Sequence, residues 1–252
     1  MNYTIETFIN ETFINVSIFN LKMKPILELQ DVWKTYTMGD NKLDVLKGIN
    51  LSILPHEFVA ILGPSGSGKS TLMNQIGVLD IPTKGKIFLD GRDISNMAES
   101  QLAQIRGKKI GFVFQQFNLI PTLTAIENVM LPTLFQGDSE KKNQQKAEKL
   151  LQMMGLGDRM YHKPNELSGG QQQRVAIARS LVNDPDIILA DEPTGNLDSI
   201  SGKEVMNMLT ELHHKEGKTI ILVTHDTHLI SFSQRTIYIK DGKIERITTS
   251  RK

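Results

Sequence analysis

Gly63-Pro64-Ser65-Gly66-Ser67-Gly68-Lys69-Ser70 is the stretch on which the reading of this 252-residue chain turns. It fits the spacing G-x-x-x-x-G-K-[ST] of a phosphate-binding loop. The apolar run Phe58-Val59-Ala60-Ile61-Leu62 leads into it, and residues 69–79 lead out with helical character. Strand, loop and helix in that order are the context the motif requires. Glycines let successive backbone N–H groups turn into one hollow, and the following helix adds the positive end of its dipole. In such a loop a lysine at position 69 reaches the β- and γ-phosphates, and the Ser70 hydroxyl can ligate Mg²⁺. A glycine-rich turn with an unrelated lysine is the bland alternative, and the flanking strand and helix argue against it.

Outward from the loop, three more short apolar runs end in a polar group. Ile110-Gly111-Phe112-Val113-Phe114 ends at Gln115, Ile187-Ile188-Leu189-Ala190 at Asp191-Glu192, and Thr219-Ile220-Ile221-Leu222-Val223 at Thr224-His225. Runs with so little alternation are expected of parallel strands buried on both faces. In open α/β sheets ligands bind beyond the carboxyl ends of such strands, so Lys69, Gln115, Asp191, Glu192 and His225 are expected to converge. Other segments read differently. Residues 26–36 read as a strand, residues 49–54 alternate as a half-buried antiparallel strand does, and residues 86–89 run into the turn pair Asp90-Gly91. Residues 236–240, Asp241-Gly242 and residues 243–247 read as a closing hairpin. Between Gln115 and Pro164 the pattern is helical. Residues 140–154 place Ala147, Leu150, Leu151 and Met154 on one face, stop at Gly155, and leave a solvated Lys/Glu/Gln face. Residues 199–213 form a second amphipathic helix with Val205, Met208, Leu209 and Leu212 inward, and the pair His213-His214 is expected to face solvent.

Composition excludes several classes. A net charge of +1 gives no strongly basic surface, so no nucleic-acid partner is expected. The chain has no cysteine, which excludes disulfides, zinc–thiolate sites and thiol chemistry. No apolar run approaches the roughly 20 residues needed to cross a bilayer. Residues 1–24 differ from the rest: Glu6-Thr7-Phe8-Ile9-Asn10 is followed by its copy Glu11-Thr12-Phe13-Ile14-Asn15. This segment lacks a secretory n-region and reads as a disordered leader, or as an extension ahead of a start at Met23.

A second glycine-rich stretch, Leu167-Ser168-Gly169-Gly170-Gln171, precedes Gln172-Gln173-Arg174-Val175-Ala176-Ile177-Ala178-Arg179. Glycines and a serine at a helix start make an anion site of the same physical type as the first, without its lysine. One nucleotide has one terminal phosphate, already held by Lys69. A second cap therefore suggests that a second protomer contributes to each site.

With both stretches in view, residues 26–247 resemble the nucleotide-binding subunit of an ATP-binding-cassette (ABC) transporter, most closely the lipoprotein-release and macrolide-export branch. The finer likeness lies in Ile110-Gly111-Phe112-Val113-Phe114-Gln115-Gln116-Phe117-Asn118-Leu119-Ile120-Pro121 and in His162-Lys163-Pro164-Asn165-Glu166 leading into the second motif. The resemblance implies an α/β P-loop NTPase (RecA-like) fold. It consists of a parallel-sheet core, an antiparallel β subdomain and an inserted α-helical subdomain at about residues 116–166, within an ATPase domain spanning residues 25–248. It implies ATP and Mg²⁺ as cofactors. The ATP would contact Gly63, Pro64, Ser65, Gly66, Ser67, Gly68, Lys69, Ser70 and Thr71. Tyr36 would stack on adenine. Ser70, Gln115 and Asp191 would serve the metal. Glu192 would be the general base, assisted catalytically by His225 and Lys69. Ser168, Gly169, Gly170 and Gln171 would cap the ATP held by the other chain, and Asp198 would lie at the seam of a head-to-tail homodimer. It also implies an integral-membrane permease as partner and a peripheral place on the cytoplasmic face of the membrane. Rivals stay open at this level: an iron–sulfur-assembly cassette without a permease, or a regulatory partner that binds ATP without turnover. The DNA-repair type needs a long coiled coil between the two motifs, which residues 70–167 lack.

Overall fold

The strands around the loop form because branched and aromatic side chains fill nearly every position and both sheet faces are covered. In the computed structural model, which describes residues 23–250, β3 (Phe58–Leu62), β6 (Ile110–Phe114), β7 (Ile187–Asp191) and β8 (Thr219–Thr224) lie parallel in one sheet. β9 (Arg235–Lys240) joins β3 in parallel, and β10 (Lys243–Thr249) pairs back on β9, giving the order β10-β9-β3-β8-β7-β6. Alternate residues of these strands serve two cores. Val59, Ile61, Ile187, Leu189, Ile221 and Val223 pack on one face, and Phe58, Ile188, Ala190, Ile220 and Leu222 on the other. Each fully buried Ile, Leu or Val contributes about 1.5–3 kcal/mol, so two-sided burial fixes these strands strongly.

The first face meets an antiparallel sheet of β1 (Leu27–Met38), β2 (Asn41–Ile53), β4 (Lys84–Leu89) and β5 (Arg92–Asp93), ordered β2-β1-β4-β5. Alternation at residues 49–54 marks only the second half of β2, where Ile49, Leu51 and Ile53 point inward; residues 41–44 are exposed. Asp90 and Gly91 (φ 53° and 75°) make the expected tight turn, as do Asp241 and Gly242 (φ 51° and 78°).

The helices are α1 (Lys69–Ile76), α2 (Glu99–Lys109), α3 (Ala125–Met130), α4 (Glu140–Met153), α5 (Gly169–Leu181) and α6 (Ser199–Glu216). α1 is shorter than the expected 69–79. At Gly77 a Cβ would stand 2.8 Å from the Phe112 ring, and Val78 turns left-handed at φ 56°. The inward face of α4 is Ala147 and Leu151, continued by Met154, with Leu150 half-buried; Gly155 (φ 68°) ends it. On its solvated face Lys142 and Lys146 each hold Asp138 at 2.8 Å.

α6 bears out one expectation and corrects another. Met208 is half-buried and packs against the core, with Met206 in the deeper position beside Val205, Leu209 and Leu212. His213 does not face solvent; His214 does. His213 falls eight residues after Val205, on the same face of a 3.6-residue helix. It is buried edge-on to Phe58 at 5.8 Å, with Nδ1 3.1 Å from the Lys218 carbonyl. Residues 1–22 of the expected leader lie outside the described residues.

The β9–β10 turn clamps the glycine-rich loop from behind. Gly242 N–H donates to the Ser67 carbonyl at 3.0 Å, and Lys47 N–H donates to the Gly242 carbonyl at 2.9 Å. At Gly63 a Cβ would lie 2.4 Å from the Ile239 carbonyl oxygen, so only glycine fits.

Candidate active site at the strand ends

Strand register sets the site. Leu62 pairs with Thr224, Val223 with Asp191, and Asp191 with Phe114. The strands thus end in one rank, and Gly63, His225, Glu192 and Gln115 leave the same carboxyl edge of the sheet. That is the edge at which α/β sheets bind ligands.

In the loop, Gly66 and Gly68 take φ of 76° and 102°, which bend the chain around the start of α1. Lys69 Nζ donates to the carbonyls of Gly63 (2.8 Å) and Pro64 (3.0 Å), so its ammonium curls over the hollow. Ser67 is buried, and its Oγ has no partner among the described residues. Ser65 and Ser70 are exposed and Thr71 is half-buried on the first turn. A cation, an orphaned hydroxyl and a helix start uncapped by any side chain fit a phosphate chain.

Glu192 takes φ 46°, a left-handed position that a non-glycine residue adopts at a cost, and its N–H donates to the Val223 carbonyl at 2.9 Å. Its carboxylate is held from β8. Oε1 accepts from His225 Nδ1 (2.6 Å) and His225 N–H (2.9 Å), and Oε2 accepts from Thr224 Oγ1 (3.1 Å). Since a carboxylate only accepts, His225 carries its hydrogen on Nδ1. Beside it, burial pushes the Asp191 carboxyl above its ordinary value; the charge of Glu192 adds to this and Lys69 opposes it. Asp191 thus lies within electrostatic reach of both Glu192 and Lys69.

Gln115 is exposed and exchanges hydrogen bonds with Asn196. Its Nε2 donates to Asn196 Oδ1 at 3.3 Å, and Asn196 Nδ2 donates to its carbonyl at 3.0 Å. Gly195 permits this contact, since a Cβ there would lie 2.6 Å from Gln115 Nε2. Ser70 hydroxyl, Gln115 carboxamide and one Asp191 carboxylate would together offer an oxygen-only donor set. It suits Mg²⁺, which binds few protein ligands and takes the rest from phosphates and water.

The remaining expected residues stand apart from this rank. Ser168 caps α5: its Oγ accepts from Gln171 N–H at 3.3 Å, and Gln171 Oε1 accepts from Ser168 N–H at 2.9 Å. Gly169 faces Leu197 and Phe117, and Gly170 faces Ser201 at 2.9 Å from its would-be Cβ. Asp198 caps α6 by accepting from Ile200 N–H and Ser201 N–H, both at 3.0 Å, and from Ser201 Oγ at 2.7 Å. The Ser201 N–H, then its hydroxyl, hold that carboxyl below its ordinary value. Tyr36, on β1, is 37% exposed; its hydroxyl donates to Asp80 at 3.2 Å, and Lys34 Nζ lies 5.2 Å from its ring centre. Sequence reasoning missed Thr224, Asn196 and Gln173 as partners of the site. For Thr224 the signal was a hydroxyl ending an apolar strand; Asn196 and Gln173 gave none.

Comparison with known proteins agrees with this geometry. The ABC transporter family matches residues 46–195. An uncharacterized ABC transporter ATP-binding protein of Thermotoga maritima is 52% identical over 225 residues, 89% of this chain and 96% of that one. The macrolide export ATP-binding/permease protein MacB of Shewanella sp. (strain ANA-3) is 53% identical over 221 residues, 88% of this chain but 34% of that protein. This chain thus spans about a third of that relative's length. Among solved structures, the dimeric post-hydrolysis cassette MJ0796 bound to ADP and Pi aligns with TM-score 0.83 and 50% identity, covering 90% of this chain and 99% of that one. MJ0796 is from Methanocaldococcus jannaschii. The chain belongs to the ABC transporter family. It is an ATPase cassette of that family, with ATP and Mg²⁺ as cofactors, and its relatives include macrolide-export proteins of the branch that its sequence resembles.

Proposed function

We propose that this chain is the ATP-hydrolysing subunit of an ABC transporter and drives a separate membrane permease through ATP-dependent head-to-tail dimerisation. The observation that carries the chemistry is Glu192, held by three hydrogen bonds from His225 and Thr224 beside Asp191, which is itself within electrostatic reach of Lys69. Among the described residues no helix is long and apolar enough to cross a membrane, which suits a subunit docked on a permease at the cytoplasmic face. Residues 25–248 form the ATPase domain, with the helical subdomain at about 116–166.

Phosphoryl transfer to water asks for positioning and charge neutralisation. Lys69 and the start of α1 hold the β- and γ-phosphates, and Tyr36 stacks on adenine. Ser70, Gln115 and Asp191 would hold Mg²⁺, which supplies charge neutralisation at the phosphate oxygens when bound. Glu192 accepts a proton from water as the water oxygen attacks the γ-phosphorus and the bond to ADP breaks. His225 and Thr224 aim the Glu192 carboxylate, and His225 lies beside the γ-phosphate. Residues 168–171 of the second copy close the site, and Asp198 lies at the seam.

Glu192→Gln tests this. It should retain ATP binding, lose hydrolysis about a hundredfold or more, and form a stable ATP-dependent dimer in size-exclusion chromatography. A variant that stays monomeric with ATP while wild type hydrolyses it defeats the sandwich. The tagged variant extracted in mild detergent should bring down an integral-membrane chain in stoichiometric amount. Recovery of soluble partners alone defeats the permease and leaves the ATPase chemistry standing.

A further inference from the structure

Helix α5 carries one side chain for which neither phosphate binding nor packing accounts. Gln173 is 0% exposed, in the interior of the helix that starts at Ser168. Its Nε2 donates to the Pro193 carbonyl at 2.6 Å and to the Phe114 carbonyl at 3.3 Å. Pro193 follows Glu192, and Phe114 precedes Gln115. One carboxamide therefore ties together the two strand ends that carry the general base and the metal-side glutamine, and joins both to α5. Its Oε1 has no partner among the described residues. An apolar side chain of equal size would fill the same space without a buried orphan acceptor, so packing alone does not explain a glutamine here.

We propose that Gln173 is a positioning residue for ATP hydrolysis. It sets the spacing of the Gln115 and Glu192 loops against α5. Gln173 lies five residues after Ser168, about 7 Å along the helix axis at 1.5 Å per residue. A helix moves as a rigid rod over that length, so a displacement at residues 168–171 arrives at both strand-end carbonyls together. The proposal rests on Glu192 and Gln115 being the hydrolytic and metal-side residues of the proposed function.

The test is Gln173→Met, which keeps the volume and removes both N–H donors. The expected result is a kcat about tenfold lower with a KM for MgATP within about twofold of wild type, since geometry in the transition state changes and ATP binding does not. A kcat within about twofold of wild type overturns the proposal, and so does a lower kcat matched by a raised KM, the signature of general damage. A second measurement needs no Gln173 variant. In ¹⁵N-labelled Glu192→Gln protein, the Gln173 side-chain amide resonances should shift when MgATP is added; resonances that stay in place overturn the proposal. Two failures are separable. Wild-type hydrolysis by Glu192→Gln defeats the reading of the site beneath the proposal. Wild-type turnover by Gln173→Met, with Glu192→Gln inert, defeats the role of Gln173 alone.

Discussion

Gly68 opens α1 and Ser168 opens α5, and the two helix starts are built differently. At Gly68 no side chain caps the helix, the residue sits at φ 102°, and Lys69 follows. At Ser168 the cap is closed by the chain itself, because Ser168 and Gln171 exchange hydrogen bonds and no cation follows in the first turn. Both starts expose the positive end of a helix dipole. Only the first leaves its N–H groups without a side-chain competitor and adds a full charge. The comparison teaches that glycine-rich helix starts of similar look grade into a primary phosphate site and a subsidiary one, according to how much of their own capping they have already done.

The largest test of that grading is Lys69→Ala. It should lower phosphate release about a hundredfold or more, because a full charge over the hollow is lost, and it should weaken MgATP binding by the isolated chain. If Lys69→Ala binds and turns over ATP as wild type does, the two helix starts are equivalent and the comparison breaks. Ser168→Ala comes next. Removing a serine cap costs about 1 kcal/mol of stability, seen in a denaturant midpoint, and should reduce hydrolysis several-fold. Nucleotide affinity of the isolated chain, followed by fluorescence titration, should not change, since in the proposed dimer this start serves the other protomer. An equal loss of monomer affinity would place both starts in one site.

The smallest effect sharpens the contrast by adding a third helix start, that of α6. Its cap, Asp198, is charged, and its carboxyl is held below the ordinary value of 3.8. A lowered folded-state value means that the stabilisation is present above the ordinary value and is lost as pH falls through the lower one. The amides of Ile200 and Ser201 should therefore lose hydrogen-exchange protection as pH drops below about 4. The Gln171 amide, held by a hydroxyl, should show no such step.

What was legible in the sequence followed from burial. Strands covered on both faces are written as unbroken apolar runs, so β3, β6, β7 and β8 stood out, and the polar residue after each pointed to the site. The exposed half of β2 carries no such record. His213 was misjudged because it was read as one of a polar pair near a helix end, although the inward face traced through Val205 and Leu209 reaches it. Gln173 and Asn196 were invisible for another reason. The partners of Gln173 are backbone carbonyls 20 and 59 residues away and that of Asn196 is Gln115, 81 residues away, and no local pattern encodes contacts made only after the chain closes.

The clamp on the glycine-rich loop has a consequence for the order of synthesis. Residues 63–68 are synthesised well ahead of β9 and β10. Yet the Gly242 N–H that holds the Ser67 carbonyl, and the Ile239 carbonyl that abuts Gly63, come some 175 residues later. Within the cassette the cradle for phosphate therefore waits on a hairpin made long after its own sequence. A nascent chain stalled before β9 owns the motif without the wall behind it, and nucleotide can assist only the closing stage of folding.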